Sequence, residues 1–241
     1  MLFSAVSQPA TVSLFSSTGS EPLQLFVVCT DPGLQSDSFL HFLHDRTSTP
    51  PPLAPAKLLG EGSPTPYALL DQTVLHIQGP AVRSTYIEST NLGLTHPWMH
   101  LQVRDLGKPW AFEVGVADQR GRKGIIRISR FQTVPALKVN GANVPMLVLP
   151  LSFAQKTEHT LTEWSTVSLQ LEALVPSFSR RDILDSAQSS APAAAAPIAV
   201  PAKFTCVTYV RVYATCRLRR LWFSVGGPNQ RLPWELELYG V

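Results

Sequence analysis

The 241-residue sequence predicts an all-β protein, an antiparallel jelly-roll-like β-sandwich with proline-rich loop insertions, and three observations predict it. Apolar and polar residues alternate with a period of two in run after run, the spacing that gives a strand one buried and one outward face. Turn residues separate these runs. No stretch outside two proline- and alanine-rich segments sustains a helical period. Hydrophobic residues make up 44% of the chain, enough for one sizeable core, so a single domain over residues 1–241 is expected.

Residues 11–17 open the series of strands, followed by 73–78, 84–88 and 98–104. In the last of these Met99, Leu101 and Val103 alternate with His100, Gln102 and Arg104. Trp110, Phe112, Val114 and Val116 then share a face, residues 118–121 supply a turn, and residues 124–129 return, a hairpin that implies antiparallel pairing. Residues 144–153 and 164–174 follow, the second with Val167, Leu169 and Leu171 inward and Thr166, Ser168 and Gln170 outward. The longest run is 204–224. Phe204, Cys206, Val210, Val212, Ala214, Cys216 and Leu218 fall on its core side; Thr205, Tyr209, Arg211, Tyr213, Thr215, Arg217 and Arg219 fall on the other. The phase breaks at Arg219 and Arg220, because Leu221 and Phe223 are apolar on what had been the polar side. A bulge or a turn between two strands accounts for the break, with three arginines at the junction. Residues 234–239 close the chain with one more alternating run, which brings the total to roughly nine or ten strands, enough for two packed sheets.

Two segments interrupt this pattern. Residues 27–72 contain Pro50, Pro51, Pro52, Pro55, Pro64 and Pro66 among Ser, Thr and Gly, a composition that favours extended, solvated backbone. Within it only residues 36–44, with Phe39, Leu40, Phe42 and Leu43, suggest a short helix. Residues 177–202 begin with Ser179 placed to cap a brief helix and become Ala/Pro/Ser-rich from Ser186 onward. Both read as insertions that add contacts to a neighbour without altering the core.

The formal charge of +3 is too small for a nucleic-acid footprint over the whole surface. The first cation is Arg46, so the N-terminus lacks the basic region of a signal peptide, and the apolar stretch near Ala193 is broken by Pro192, Pro197 and Pro201 and is too short to span a bilayer. The chain reads as soluble and intracellular. Cys29, Cys206 and Cys216 are an odd, sparse set unlike a disulfide framework; on one continuous strand the last two would be ~33 Å apart, so they read as buried thiols.

Catalytic and cofactor signatures find no anchor. Gly121-Arg122-Lys123-Gly124 lacks the spacing of a phosphate loop, and no nucleophile elbow occurs. His41, His44 and Asp45 lack a second ligand pair at zinc spacing. His96 and His100, on one strand, would lie about 13 Å apart, too far to share a metal. The arginines stand out instead. Arg120, Arg122, Lys123, Arg127 and Arg130 surround one hairpin, and Arg211, Arg217, Arg219 and Arg220 decorate the last strands, so nine of the twenty Lys and Arg residues lie in two short windows. A solvated charged face would account for them, and so would a docking surface for an acidic partner, in which Tyr209, Tyr213 and Trp222 would be the anchors. On the docking reading the contact residues are Arg120, Arg122, Lys123, Arg127, Arg211, Tyr213, Arg217, Arg219 and Arg220. Because Arg217 and Arg219 share the polar side of the alternation, reversing both to Glu is expected to leave the fold intact.

Short blocks along the chain match one known family in order. They are Gly19-Ser20-Glu21-Pro22-Leu23-Gln24-Leu25, Thr85-Tyr86-Ile87 after Gly79, Leu92-Gly93-Leu94, Phe112-Glu113-Val114, Pro145-Met146 and Trp164. The last is Cys216-Arg217-Leu218-Arg219-Arg220 followed by Leu221-Trp222-Phe223-Ser224. With them the sequence resembles the cilia- and flagella-associated protein 20 family over roughly three quarters of its length, departing at 27–72 and 177–202. The resemblance implies a non-enzymatic structural protein of the ciliary or flagellar axoneme, without cofactor or small-molecule substrate. It also implies a site at the inner junction of doublet microtubules, in contact with tubulin and neighbouring axonemal proteins. The two expansions leave the junction, the lumen, the central pair and the centriole all open as sites. The basic windows fit independently, since tubulin is acidic and its lattice repeats that surface. A carbohydrate-binding module is the rival reading, with Trp98, Trp110 and Trp222 as a sugar platform.

Overall fold

The computed structural model describes residues 2–3, 7–51, 72–153, 164–180, 198–233 and 236–237. Thirteen strands among them form two sheets. One contains β1 (Thr11–Ser16), β3 (Phe39–His44), β4 (Thr73–Gln78), β6 (Trp98–Asp105), β11 (Trp164–Gln170) and β13 (Cys216–Ser224), in the order β11-β6-β13-β4-β3 with β1 paired to β13. The other contains β2 (Val27–Cys29), β5 (Tyr86–Leu94), β7 (Ala111–Ala117), β8 (Lys123–Ser129), β9 (Ala136–Val139), β10 (Pro145–Pro150) and β12 (Cys206–Tyr213), in the order β2-β5-β12-β7-β8-β10-β9. The protein is an all-β sandwich.

The alternation read from the sequence is what fills the space between the sheets. Phe112, Val114 and Val116 of β7, Val210 and Val212 of β12, and Cys216 and Leu218 of β13 are all fully buried in one core cluster, joined by Ile77, Leu101, Val103, Trp110 and Phe223. Cys206 and Cys216 sit in different sheets as buried free thiols, and Cys29 is half-buried. The β7–β8 hairpin turns at 118–122 as its Asp and Gly predicted, Gly121 adopting φ +74°.

Four features correct the sequence reading. Residues 39–44 are not helical but form β3, antiparallel to β4. Leu40 and Phe42 pack on the main core while Leu43 joins Val74 and Trp164, so apolar groups leave both faces and no clean alternation is visible. The run 164–174 is strand only to Gln170; Leu171 donates its N–H to the Pro97 carbonyl and opens a helical turn, α1 (Leu171–Leu174), that continues as a 3-10 turn over Val175–Ser179. Leu171, Val175 and Phe178 thereby reach the core. The passage between the two final strands lies at Ala214–Thr215 rather than at the arginines, and it carries the chain from one sheet to the other. The phase break near Arg219 is a bulge, where the β13–β6 register shifts between Leu218 and Arg220. Finally, the pairing is mixed: β10 runs parallel to β8 because the chain first crosses to the sheet edge as β9 and then returns between them. The alternating run expected at 234–239 lies mostly outside the described residues.

Candidate partner-binding site

The outer face of the seven-stranded sheet brings together residues that the sequence placed in separate windows. Register puts Glu88 of β5, Arg211 of β12, Glu113 of β7 and Arg127 of β8 in one row across four strands. Directly opposed side chains of opposite charge stabilise such ladders. Arg211 donates to Glu88 Oε1 at 2.7 Å and to the Tyr213 hydroxyl at 2.9 Å, and it lies 3.8 Å from Glu113 Oε2. Arg127 donates Nε–H to Glu113 Oε1 at 2.6 Å, and the Tyr209 hydroxyl donates to Glu113 Oε2 at 3.1 Å. The Arg211 guanidinium also lies over three rings, 4.7 Å from the centre of Tyr86, 5.6 Å from Tyr213 and 5.8 Å from Tyr209.

Electrostatics lock this arrangement. Burial raises the Tyr209 hydroxyl pKa and Glu113 raises it further; Tyr213 shifts the same way, for burial first and Glu113 second. Both phenols stay protonated, Tyr209 donating to Glu113 and Tyr213 accepting from Arg211. The row holds two carboxylates and two guanidiniums, so it is rigid and nearly neutral, and a partner would meet it through shape and aromatic contact more than through net charge. Gly115 makes it possible: a Cβ there would stand 2.3 Å from Tyr209 Cδ1, so only glycine lets that ring lie on the strand.

Arg120, Arg122 and Lys123 occupy the end of the same sheet, at the β7–β8 turn. Asp118 organises them, accepting from the Arg120 and Arg122 N–H groups at 2.9 and 3.0 Å, from Arg122 Nε at 2.7 Å and from the Ala202 N–H at 3.2 Å. Desolvation works to raise its pKa, but these four donors outweigh it and hold the carboxyl at about 2. Arg120 and Lys123 are exposed.

Arg217, Arg219 and Arg220 are elsewhere. They lie on the outer side of the six-stranded sheet, Arg219 and Arg220 buried and Arg217 half-buried and ion-paired, contrary to the expected solvated row. Arg217 donates to Asp45 Oδ1 at 2.7 Å, to the Asp45 carbonyl at 2.9 Å and to Ser48 Oγ at 2.6 Å. Arg104 donates to the same Oδ1 at 3.0 Å and Trp164 Nε1 to Oδ2 at 2.7 Å, so one fully buried carboxylate gathers two arginines and an indole. Arg219, 2% exposed, donates to Gln72 Oε1, Gln102 Oε1 and the Glu237 carbonyl at 2.8, 2.5 and 2.8 Å. Arg220, 6% exposed, donates to Ser16 Oγ at 2.7 Å. The physical reason is coverage: the turn after β3 and the C-terminal residues 236–237 lie across this face, and burial of a guanidinium demands acceptors on every side.

Other candidates disperse. Trp110 and Trp222 are buried and only Trp98 is partly exposed, so the three cannot form a sugar platform. Trp98, His100 and Trp222 form a stack instead, with His100 bonded to Ser168 and Ser224, and burial lowers the His100 pKa to about 4. His96 precedes β6 and bonds the Pro9 carbonyl, so the two histidines do not share a strand face. Among the described residues no group of three His, Cys, Asp or Glu side chains could hold a metal, and no helix is long and apolar enough to cross a membrane. An open cleft of ≈ 510 Å³ lined by Asp37, Gln78, Lys108 and Thr215 lies at the opposite end of the sandwich from the β7–β8 turn. Sequence reasoning missed Asp45 as the hub of buried arginines, and Glu88 and Glu113 as partners of the outward ones.

What fold and site define is a β-sandwich with an aromatic and ionic face bordered by cations. The family model of the CFA20 domain matches residues 68–180. Cilia- and flagella-associated protein 20 of Chlamydomonas reinhardtii is 25% identical over 176 residues, covering 70% of this chain and 75% of that protein. The resemblance drawn from the short blocks is thereby borne out: the chain is similar to cilia- and flagella-associated protein 20 and matches the CFA20 domain over residues 68–180.

Proposed function

We propose that the chain is a non-enzymatic structural component of ciliary or flagellar axonemal microtubules that binds tubulin and neighbouring axonemal proteins. The observation that carries the reading is similarity over 70% of the chain to a protein whose name places it with cilia and flagella. The sandwich supplies a rigid body, and Arg127, Arg211 and Tyr213 supply a face with the residue types that anchor interfaces. Arg120, Arg122 and Lys123 add positive charge at its border, suited to an acidic lattice in which many weak contacts repeat. Arg217, Arg219 and Arg220 are left out of this surface because they serve the interior. The site on the microtubule is the inner junction or a related position, and no cofactor or turnover is required.

The test is expression of a tagged full-length chain in ciliated cells, with imaging of intact axonemes and sedimentation with isolated doublets over a salt series. Retention that survives moderate salt, with a periodic axonemal position, is expected. A chain that stays in the cell body and fails to sediment with doublets at any ionic strength refutes the reading.

A further inference from the structure

The cations at the β7–β8 end of the sandwich come from three chain segments that sequence distance hides. Phe178 and Pro201 both press against Gly124, where a Cβ would stand 2.7 Å from Phe178 Cζ and 2.9 Å from Pro201 Cγ. That packing anchors the segments that carry Arg180 and Lys203, each two residues beyond its anchor, at the same end of the sandwich as the β7–β8 turn. The Ala202 N–H to Asp118 bond and the Thr205 N–H to Ala117 carbonyl bond, 3.0 Å, fix the same junction. Arg120, Lys123, Arg180 and Lys203 are all exposed and Arg122 is half-buried. Asp118 is committed to Arg122 and three backbone donors, and among the described residues Arg120, Lys123 and Lys203 make no ion pair.

We infer that this pole, formed by Arg120, Arg122, Lys123, Arg180 and Lys203, is a binding site for an acidic, extended polypeptide segment of a partner. The inference deepens the structural-adaptor reading and rests on it for the partner's setting, though not for its chemistry. Charge complementarity selects a carboxylate-rich ligand: the cations lie on separate segments around a turn, a spread suited to successive glutamates along a chain. Nucleic acid fits less well. Phe178 and Phe204, on the segments that carry Arg180 and Lys203, are buried, so they offer no surface on which a base could stack. The aromatic row around Arg211 is a separate surface, neutralised by Glu88 and Glu113.

The experiment titrates the full-length protein with a fluorescein-labelled glutamate–glycine peptide and, in parallel, with an oligothymidylate of equal length, following anisotropy at low and moderate salt. Lys123→Glu with Lys203→Glu is compared with Arg83→Glu and Lys108→Glu, an equal charge change on exposed residues at the opposite pole. Circular dichroism checks that both fold. The expected result is salt-sensitive binding of the peptide, at least about tenfold weaker in the first variant and less than about threefold weaker in the second. No binding by the wild type, equal weakening in both variants, or tighter binding of the oligothymidylate overturns the inference. Retention on doublets without peptide binding removes the pole alone; peptide binding without retention on doublets removes the axonemal reading and leaves the pole.

Discussion

Replacing Arg219 by Met separates the buried arginine seen in the structure from the solvated arginine that alternation predicts. Methionine keeps much of the aliphatic volume and removes the charge, so the change isolates the polar contacts. Gln72 Oε1, Gln102 Oε1 and the Glu237 carbonyl all lose a donor in a site where the side chain is 2% exposed. Loss of a donor at a buried acceptor costs about 1–3 kcal/mol, a cost that falls on the buried Gln72 and Gln102 rather than on the exposed Glu237, and removal of a desolvated charge returns part of it. A net loss of about 2–4 kcal/mol is expected. Urea unfolding followed by tryptophan fluorescence measures it: with a slope on the order of 3 kcal/mol per molar, the midpoint drops by ~1 M at unchanged slope. Arg120→Met, at an exposed position, serves as control and is expected to move stability by no more than about 0.5 kcal/mol. A midpoint for Arg219→Met within about 0.2 M of wild type would refute the burial argument. By the same reasoning, reversal of Arg217 and Arg219 to Glu, which alternation alone would tolerate, sets new carboxylates beside Asp45 and three acceptors, and the double variant is not expected to fold.

Gly115→Ala is expected to cost roughly 1–3 kcal/mol, because the Tyr209 ring must leave its place over the strand; a thermal midpoint equal to wild type would mean that the ring moves freely. His100 gives a pH signature. Its folded pKa of about 4 lies below the ordinary 6.5, so the neutral form is favoured by the fold, and its contribution is complete above pH 6.5 and lost as pH falls from 6.5 to 4. Urea midpoints at about pH 7.5 and 4.5 should reveal a loss of roughly 2–3 kcal/mol in wild type that His100→Gln lacks, and equal losses in both proteins would assign the titration elsewhere.

Most strands were legible because a sheet with one buried face writes a period of two into the sequence. The β7–β8 hairpin and the core residues of β12 and β13 follow directly from it. β3 was not legible, since Leu43 and Phe42 bury against different clusters and the period disappears. The arginines were half legible. Alternation correctly put Arg211 and Arg217 on outward faces, but it treats a single long run as one strand, and the passage at 214–215 sends those faces to opposite sides of the sandwich. Nor does alternation report what covers an outer face. Arg219 is buried by Gln72 and the C-terminal residues, far from it in sequence, so its exposure is a property of tertiary structure alone.

That division predicts how mutations combine. Arg211 and Arg217 are six residues apart, yet Arg211 pairs with Glu88 and Glu113 while Arg217 pairs with Asp45 and Ser48, and the two networks have no member in common. Arg211 and Arg127 are far apart in sequence and share Glu113, a carboxylate only 2% exposed. Met substitutions tested singly and in pairs by urea unfolding should therefore reverse the order that sequence proximity suggests. Arg211→Met with Arg217→Met should be additive within about 0.5 kcal/mol, as for independent sites. Arg211→Met with Arg127→Met should cost more than the sum by about 0.5–3 kcal/mol, because loss of both cations leaves Glu113 with the Tyr209 hydroxyl alone. Coupling between Arg211 and Arg217 with none between Arg211 and Arg127 would contradict both the inter-sheet passage at 214–215 and the ionic row across the outer face.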